Sequence, residues 1–159
     1  MAIAYIGVGS NIGDREKNCA VALKHLDHAE GVKVEKVSEL YFTEPVGGPP
    51  QDKYLNGVAK INTDLSPRDL LTKIKGIEKE IGRAPVDLRD LPRIIDLDIL
   101  IYEDVVLDEK GLRIPHPRMH KRNFILKGFN EIAPDTMHPG LGKTIKELYN
   151  KMRHPGTPD

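Results

Sequence analysis

The sequence predicts an α+β fold, in which strands and helices share one chain of 159 residues. Three observations predict it. Segments 2–8, 32–42, 54–61 and 92–102 are dense in aliphatic and β-branched residues, and the last two alternate with the period of a strand. Segments around 19–26, 66–81, 124–132 and 144–152 instead repeat apolar residues at helical spacing. The length suits a single domain that buries a core without metal or disulfide staples, expected over 1–153. His154–Asp159, with two prolines and a glycine in six residues, is expected to be a disordered tail.

Composition narrows the partners. The 24 Lys and Arg balance the 24 Asp and Glu, which argues against a nucleic acid or membrane held by bulk charge. Cys19 is the only cysteine, and no segment reads as a signal peptide or a long apolar span, so a reducing cytoplasm is expected. Cys19 itself is expected to be buried and inert, and a monomer is favoured.

In chain order, Ala2–Val8 reads as a buried strand that stops at Gly-Ser-Asn. Gly7, Gly9 and Gly13 do not make a dinucleotide fingerprint, because the third glycine would fall on Ile12; they are expected to shape the turn into a helix. That helix carries Cys19, Ala22, Leu23 and Leu26 on one face, with Gly31 as its C-terminal glycine. Val32–Phe42 reads as one long strand whose alternation slips between Val34 and Val37, as a bulge would produce. A proline- and glycine-rich loop, 44–53, leads into Tyr54–Ile61, where Leu55, Ala59 and Ile61 take one face and Tyr54, Asn56 and Val58 the other. Tyr54 beside Asn56 could grip a flat heterocycle by stacking and paired hydrogen bonds, or be an ordinary surface pair.

Ser66-Pro67 opens the next helix with a side-chain cap and a first-turn proline, and Gly82 closes it. Its stripe is Leu70, Leu71, Ile74, Ile77 and Ile81, and Glu78 falls within or beside that stripe. From spacing alone, Glu78 is expected at the margin, reaching water. Residues 83–93 read as an arginine-rich loop.

The segment Pro92–Tyr102 sets two carboxylates in the most hydrophobic part of the chain. On a strand, Asp96 and Asp98 share one face, and Ile95, Leu97, Ile99 and Ile101 form an aliphatic row on the other. Two like charges side by side call for cations or donors, and paired carboxylates suit a hard cation such as Mg²⁺. An edge strand with solvated aspartates satisfies the same spacing. Arginines beside such a pair suit phosphoryl chemistry, since guanidinium forks fit phosphate oxygens.

Val105–Asp108 and Leu112–Ile114 read as a short extended pair. Pro115–Phe124 then packs two histidines among cations. His116 and His120 lack the intervening Glu of a zinc helix, Pro117 standing in its place, so an anion site is the better reading. Gly142-Lys143-Thr144 is not a phosphate loop, because the earlier glycine it requires falls on Met137.

Taken together, Gly-Ser-Asn at 9–11, Tyr-Leu-Asn at 54–56, Glu-x-x-x-Gly-Arg at 78–83, Pro-Arg-x-x-Asp-Leu-Asp-Ile-Leu at 92–100 and Pro-His-Pro-Arg-Met-x-x-Arg-x-Phe at 115–124 form a recognisable series. The chain resembles the 6-hydroxymethyl-7,8-dihydropterin pyrophosphokinases of folate biosynthesis, up to about Tyr149. The resemblance implies a ferredoxin-like three-layer α/β/α sandwich with a mainly antiparallel sheet. It implies transfer of pyrophosphate from ATP to the hydroxymethyl group of 6-hydroxymethyl-7,8-dihydropterin, with release of AMP. Asp96 and Asp98 would then hold two Mg²⁺ ions, and Arg83 and Arg93 would act on the phosphates beside them. Lys75, Glu78, Arg83, Arg93, Ile99, Arg113, His116 and Arg122 would bind ATP. Thr43, Val46, Tyr54, Asn56 and Phe124 would bind the pterin, the two rings by stacking and the polar groups along its edge.

The chain departs from that family's pattern at several positions. Asp90-Leu91 stands where relatives have Trp-Gly before Pro-Arg, Pro85 where many have a second arginine, and Lys75 where a glutamine is common. A catalytically weak pterin- or nucleotide-binding module of the same fold is the alternative function. A ferredoxin-like RNA-binding domain fits poorly, since aromatics make up only 5% of a chain with no formal net charge.

Overall fold

The computed structural model describes residues 1–43, 53–82 and 94–154. Within them the chain runs β1 (Ala2–Ser10), α1 (Arg15–His28), β2 (Val32–Val37), β3 (Tyr41–Thr43), β4 (Tyr54–Thr63), α2 (Pro67–Ile81) and β5 (Asp96–Tyr102). The hairpin β6 (Leu107–Glu109) and β7 (Leu112–Ile114) follows, then a short 3₁₀ turn at Met119–Lys121 and α3 (Asn123–Ile132). A small pair, β8 (Met137–His138) and β9 (Lys143–Thr144), leads into α4 (Ile145–Arg153).

The main sheet is antiparallel, in the order β2-β4-β1-β5, with β3 continuing the β2 edge against β4. With β2 and β3 taken as one interrupted strand, the first half is βαββαβ, the ferredoxin-like arrangement. Helices α1 and α2 cover one face, where Ala4, Ile6 and Val8 of β1, Leu55 and Ile61 of β4, and Leu97 and Ile99 of β5 meet Cys19, Leu26, Leu70 and Ile74. Helices α3 and α4 cover the other, where Tyr5, Val58 and Leu100 meet Leu126, Phe129, Ile145 and Leu148. Burying each such Leu or Ile stabilises by about 2 kcal/mol. The result is the expected three-layer sandwich.

Local chemistry explains the helix ends. Asp14 caps α1 by accepting the Lys17 N–H, and Ser66 caps α2 by accepting that of Asp69, with Pro67 in the first turn. Gly82 ends α2 in the left-handed region at φ 118°. Thr144 and Glu147 form a reciprocal capping box at the start of α4. Helix α1 instead closes on Ala29, and Gly31, at φ 81°, serves the turn into β2 rather than the cap.

Several strands differ from expectation. β1 continues through Ser10, so Gly7 and Gly9 are strand residues, and only Gly13 lies in the turn. The slip in Val32–Phe42 is a true irregularity, with the β2–β4 register shifting between Val34 and Lys36, but the segment is two strands rather than one. They part at Ser38, whose backbone N–H donates to the Val58 carbonyl and whose hydroxyl oxygen accepts the Val58 N–H at 2.9 Å. A side chain thus supplies an acceptor where the ladder breaks. A second shift lies between β1 and β5, where Tyr5 faces Ile101 and Ile6 faces Ile99, leaving Leu100 as the extra residue. The aliphatic row therefore stops at Ile99, and Ile101 packs on the α3–α4 face. The 105–114 pair begins at Leu107, and the β8–β9 pair has no clear signal in the sequence. Pro92 and Arg93, the loop 83–93 and the tail beyond His154 lie outside the described residues.

Candidate active site

The site begins with a row across three strands. In the register of the sheet, Asn56 of β4 faces Gly9 of β1, and Gly9 faces Asp96 of β5. Cross-strand partners share a face, so an amide and a carboxylate flank a residue with no side chain. A Cβ on Gly9 would stand 3.0 Å from Asn56 Oδ1 and 3.4 Å from Tyr54 Cδ1, so these two side chains occupy the space that glycine leaves. Asn56 Nδ2 donates to Thr43 Oγ1 at 2.8 Å, which leaves the amide oxygen over Gly9. Thr43 and Tyr54 are themselves opposite one another on β3 and β4. The structure thus brings Thr43, Tyr54 and Asn56 together.

Asp98 is two pairs along β5 from Asp96, opposite Gly7. Burial, then the charge of Asp96, pushes its carboxyl up to about 7, against the pull of Lys75; Glu78 adds to the rise and Arg122 opposes it. Four charged side chains from β5, α2 and the start of α3 therefore share one field around Asp98. Glu78 corrects the expectation of a solvated margin: it is 2% exposed and accepts the Leu97 N–H at 2.6 Å. Lys75 reaches Glu78 Oε1 at 3.2 Å and also donates to the Leu97 carbonyl at 3.2 Å. The apolar stripe of α2 places Glu78 against β5, and the carboxylate is tolerated there because a peptide N–H and an ammonium meet it.

His116 follows the β6–β7 hairpin, and its backbone N–H is held by the Leu100 carbonyl at 2.8 Å. Its Nδ1 accepts the Arg118 N–H at 3.1 Å, which assigns the neutral ring's proton to Nε2. Burial, then the Arg122 cation, lowers its pKa to about 4, with Asp96 opposing. Arg122 lies 5.8 Å from the centre of the Phe124 ring, so the Pro115–Phe124 segment gathers an imidazole, a guanidinium and an aromatic beside the aspartates.

Other expected residues are placed differently. The Ile99 side chain is buried on the α1–α2 face, away from the aspartates, so only its backbone is available on the site side. Arg113 is exposed on β7 and engaged by Asp108 across the hairpin at 3.1 Å. Val46, Arg83 and Arg93 lie outside the described residues. Gly9 was missed, although its place two residues from Gly7 and four from Tyr5 in an alternating strand is a signal that it shares their face.

Among the described residues, no group of three or more His, Cys, Asp or Glu side chains converges on a metal position. Two carboxylates alone fit a hard cation that completes its shell with substrate oxygens and water.

The model of the 7,8-dihydro-6-hydroxymethylpterin-pyrophosphokinase family matches residues 5–134. The chain belongs to this family. It is 42% identical over 148 residues to the 2-amino-4-hydroxy-6-hydroxymethyldihydropteridine pyrophosphokinase of Aquifex aeolicus, covering 93% of this chain and 91% of that protein. With the enzyme of the same name from Bacillus subtilis it shares 44% identity over 131 residues, 82% of this chain and 78% of that one. The folic acid synthesis protein fol1 of Schizosaccharomyces pombe is 42% identical over 97% of this chain, which spans only 21% of that longer protein. The Plasmodium falciparum HPPK-DHPS crystal structure shares the fold, with a TM-score of 0.75 at 19% identity over 94% of this chain and 44% of the other. Family membership covers the strand row and both aspartates, since both lie within the matched residues.

Proposed function

We propose that this protein transfers the pyrophosphoryl group of ATP to the hydroxymethyl oxygen of 6-hydroxymethyl-7,8-dihydropterin, releasing AMP, as a step of folate synthesis. The observation that carries this reading is the row Asn56–Gly9–Asp96, which puts an amide suited to a heterocycle edge and a carboxylate suited to a hard cation on one sheet face, with no side chain of β1 standing between them. The enzyme name borne by relatives of similar length supports an active transferase over a binding module.

Asp96 and Asp98 would hold Mg²⁺, two ions by the resemblance. When bound with ATP, Mg²⁺ offsets charge on the phosphate oxygens and orients them for in-line displacement. The chain's own groups do the rest. Asn56 turns its amide oxygen toward the N–H edge of an aminopterin, because Thr43 takes its amide hydrogen. Tyr54 and Phe124 supply ring faces for stacking. His116 is neutral at pH 7 and offers its Nε2–H to a phosphate oxygen without adding a charge that would repel Arg122. Arg122 provides fixed positive charge, joined in this reading by Arg83 and Arg93, with Arg113 at the periphery. One bond forms between the hydroxymethyl oxygen and the β-phosphorus, the hydroxyl proton leaves to solvent water, and the bond from that phosphorus to the AMP oxygen breaks. Positioning and charge do most of the work of such a loose transition state.

Cytoplasmic location belongs to the same proposal, supported by the lone Cys19, and so does a monomeric state. Among the described residues, no helix is long and apolar enough to cross a membrane. The test is to mix protein, MgATP and the reduced hydroxymethylpterin and resolve the nucleotides. AMP is expected. ADP would mean a different phosphotransferase, and no turnover with retained pterin binding would favour the binding module.

A further inference from the structure

β5 is the last strand on its side of the described sheet, so its outer edge has no neighbouring strand to take its backbone groups. At Leu97, the residue between the two aspartates, that edge is closed by side chains from α2. Glu78 Oε2 accepts the Leu97 N–H at 2.6 Å, and Lys75 Nζ donates to the Leu97 carbonyl at 3.2 Å. The two side chains are also bound to each other, at 3.2 Å, as an i,i+3 pair on the helix. A helical ion pair therefore stands in for a missing strand at one peptide. The Leu97 side chain is fully buried on the opposite face, packed in the α1–α2 core. Leu97 is thus held from its edge and from below, and Asp96 and Asp98 are the residues on either side of it.

We propose that Lys75 and Glu78 are positioning residues for the reaction: they clasp the Leu97 peptide and so hold the separation and direction of Asp96 and Asp98, rather than binding the nucleotide themselves. This rests on the pyrophosphokinase reading. Three features separate the clasp from a nucleotide contact. Glu78 is buried, so its carboxylate is directed at β5 and not at solvent. Lys75 spends its ammonium on Glu78 and Leu97 together. Finally, the Lys75 ammonium both counters the buried carboxylate's charge and donates to the carbonyl of the same peptide whose N–H Glu78 accepts.

The experiment compares the full chain with Lys75→Met, Glu78→Met and Lys75→Arg, each checked for an unchanged far-ultraviolet dichroism spectrum. Two readouts are taken. Amide hydrogen exchange at Leu97 is expected to rise by about fivefold or more in Lys75→Met and Glu78→Met, while exchange at Ala59 in β4 stays constant. Steady-state kinetics are expected to show kcat reduced by roughly 10- to 100-fold, with KM for ATP within about twofold of the unaltered protein. Lys75→Arg keeps the charge and the donor and is expected to restore most of both. A raised KM for ATP at unchanged kcat would make Lys75 a nucleotide ligand and overturn the clasp, as would unaltered Leu97 exchange in both disruptive variants. If the unaltered protein forms no AMP, the pyrophosphokinase reading falls, and Leu97 exchange still decides whether the clasp holds the strand.

Discussion

The carbonyl oxygen of Asn56 lies over the backbone of Gly9, 3.0 Å from where a Cβ would stand. The two residues face each other across β4 and β1, and the amide is turned that way by its bond to Thr43. A methyl group at Gly9 must push the Asn56 oxygen aside by a few tenths of an ångström, and it would also meet the Tyr54 ring at 3.4 Å. Gly9→Ala is therefore expected to raise KM for the pterin about tenfold, the worth of one misaligned hydrogen bond, and to change KM for ATP far less. Steady-state kinetics with each substrate varied in turn checks this, and equal effects on both constants would argue for a general distortion of β1.

Asp98→Ala is expected to abolish AMP formation while leaving the fold intact. Burial and Asp96 both raise the Asp98 pKa, so the ionised carboxylate strains the ligand-free protein. Removing it should leave the thermal midpoint without ligand unchanged or higher, and should cancel the stabilisation that MgATP gives the unaltered protein. Thermal melts with and without MgATP measure both. Near-normal turnover in the variant would remove the aspartate pair from the mechanism.

Acid sensitivity should have a component from His116. Its folded pKa of about 4 lies below the usual 6.5, so the unfolded chain takes up this proton first as pH falls. Stability from this group is complete above pH 6.5, is lost between 6.5 and about 4, and changes little below. Asp98, raised to about 7, contributes with the opposite sign over the same range, so the measure is a difference: in denaturant titrations, the stability of the unaltered protein relative to His116→Gln should fall as pH drops from 6.5 to about 4. His120 and His138, whose pKa values burial also lowers, contribute with the same sign and remain in the variant.

Ser38→Ala is expected to destabilise the protein by about 1–3 kcal/mol, because the buried Val58 N–H loses its acceptor. Gly128 is compatible with this arrangement, since a Cβ there would stand 2.9 Å from Ser38 Oγ. A urea midpoint shift at constant slope would establish the loss, and an unchanged midpoint would show that water replaces the hydroxyl.

Much of the fold was legible because its signals are local. Ser66-Pro67 and Gly82 bracket α2 through groups within one helical turn, and the misphased valines of β2 betray their own register shift. The Asp-x-Asp spacing likewise determined that both carboxylates would share a face, whatever surrounded them. These features, the family motifs and the neutral composition were present in the sequence by itself. The tertiary structure decided the rest, for a physical reason common to each case: the partner is distant in the chain. Gly9 becomes the seat of the Asn56 and Tyr54 side chains only when β4 lies against β1, with β5 on its other side. The aliphatic row breaks after Ile99 because Leu100 is extra in its pairing with β1, which no pattern within β5 reveals. Glu78 could as well have reached water from the margin of its helix; packing of α2 on β5 instead brought it to the Leu97 N–H, where burial is cheaper than leaving that donor unmet.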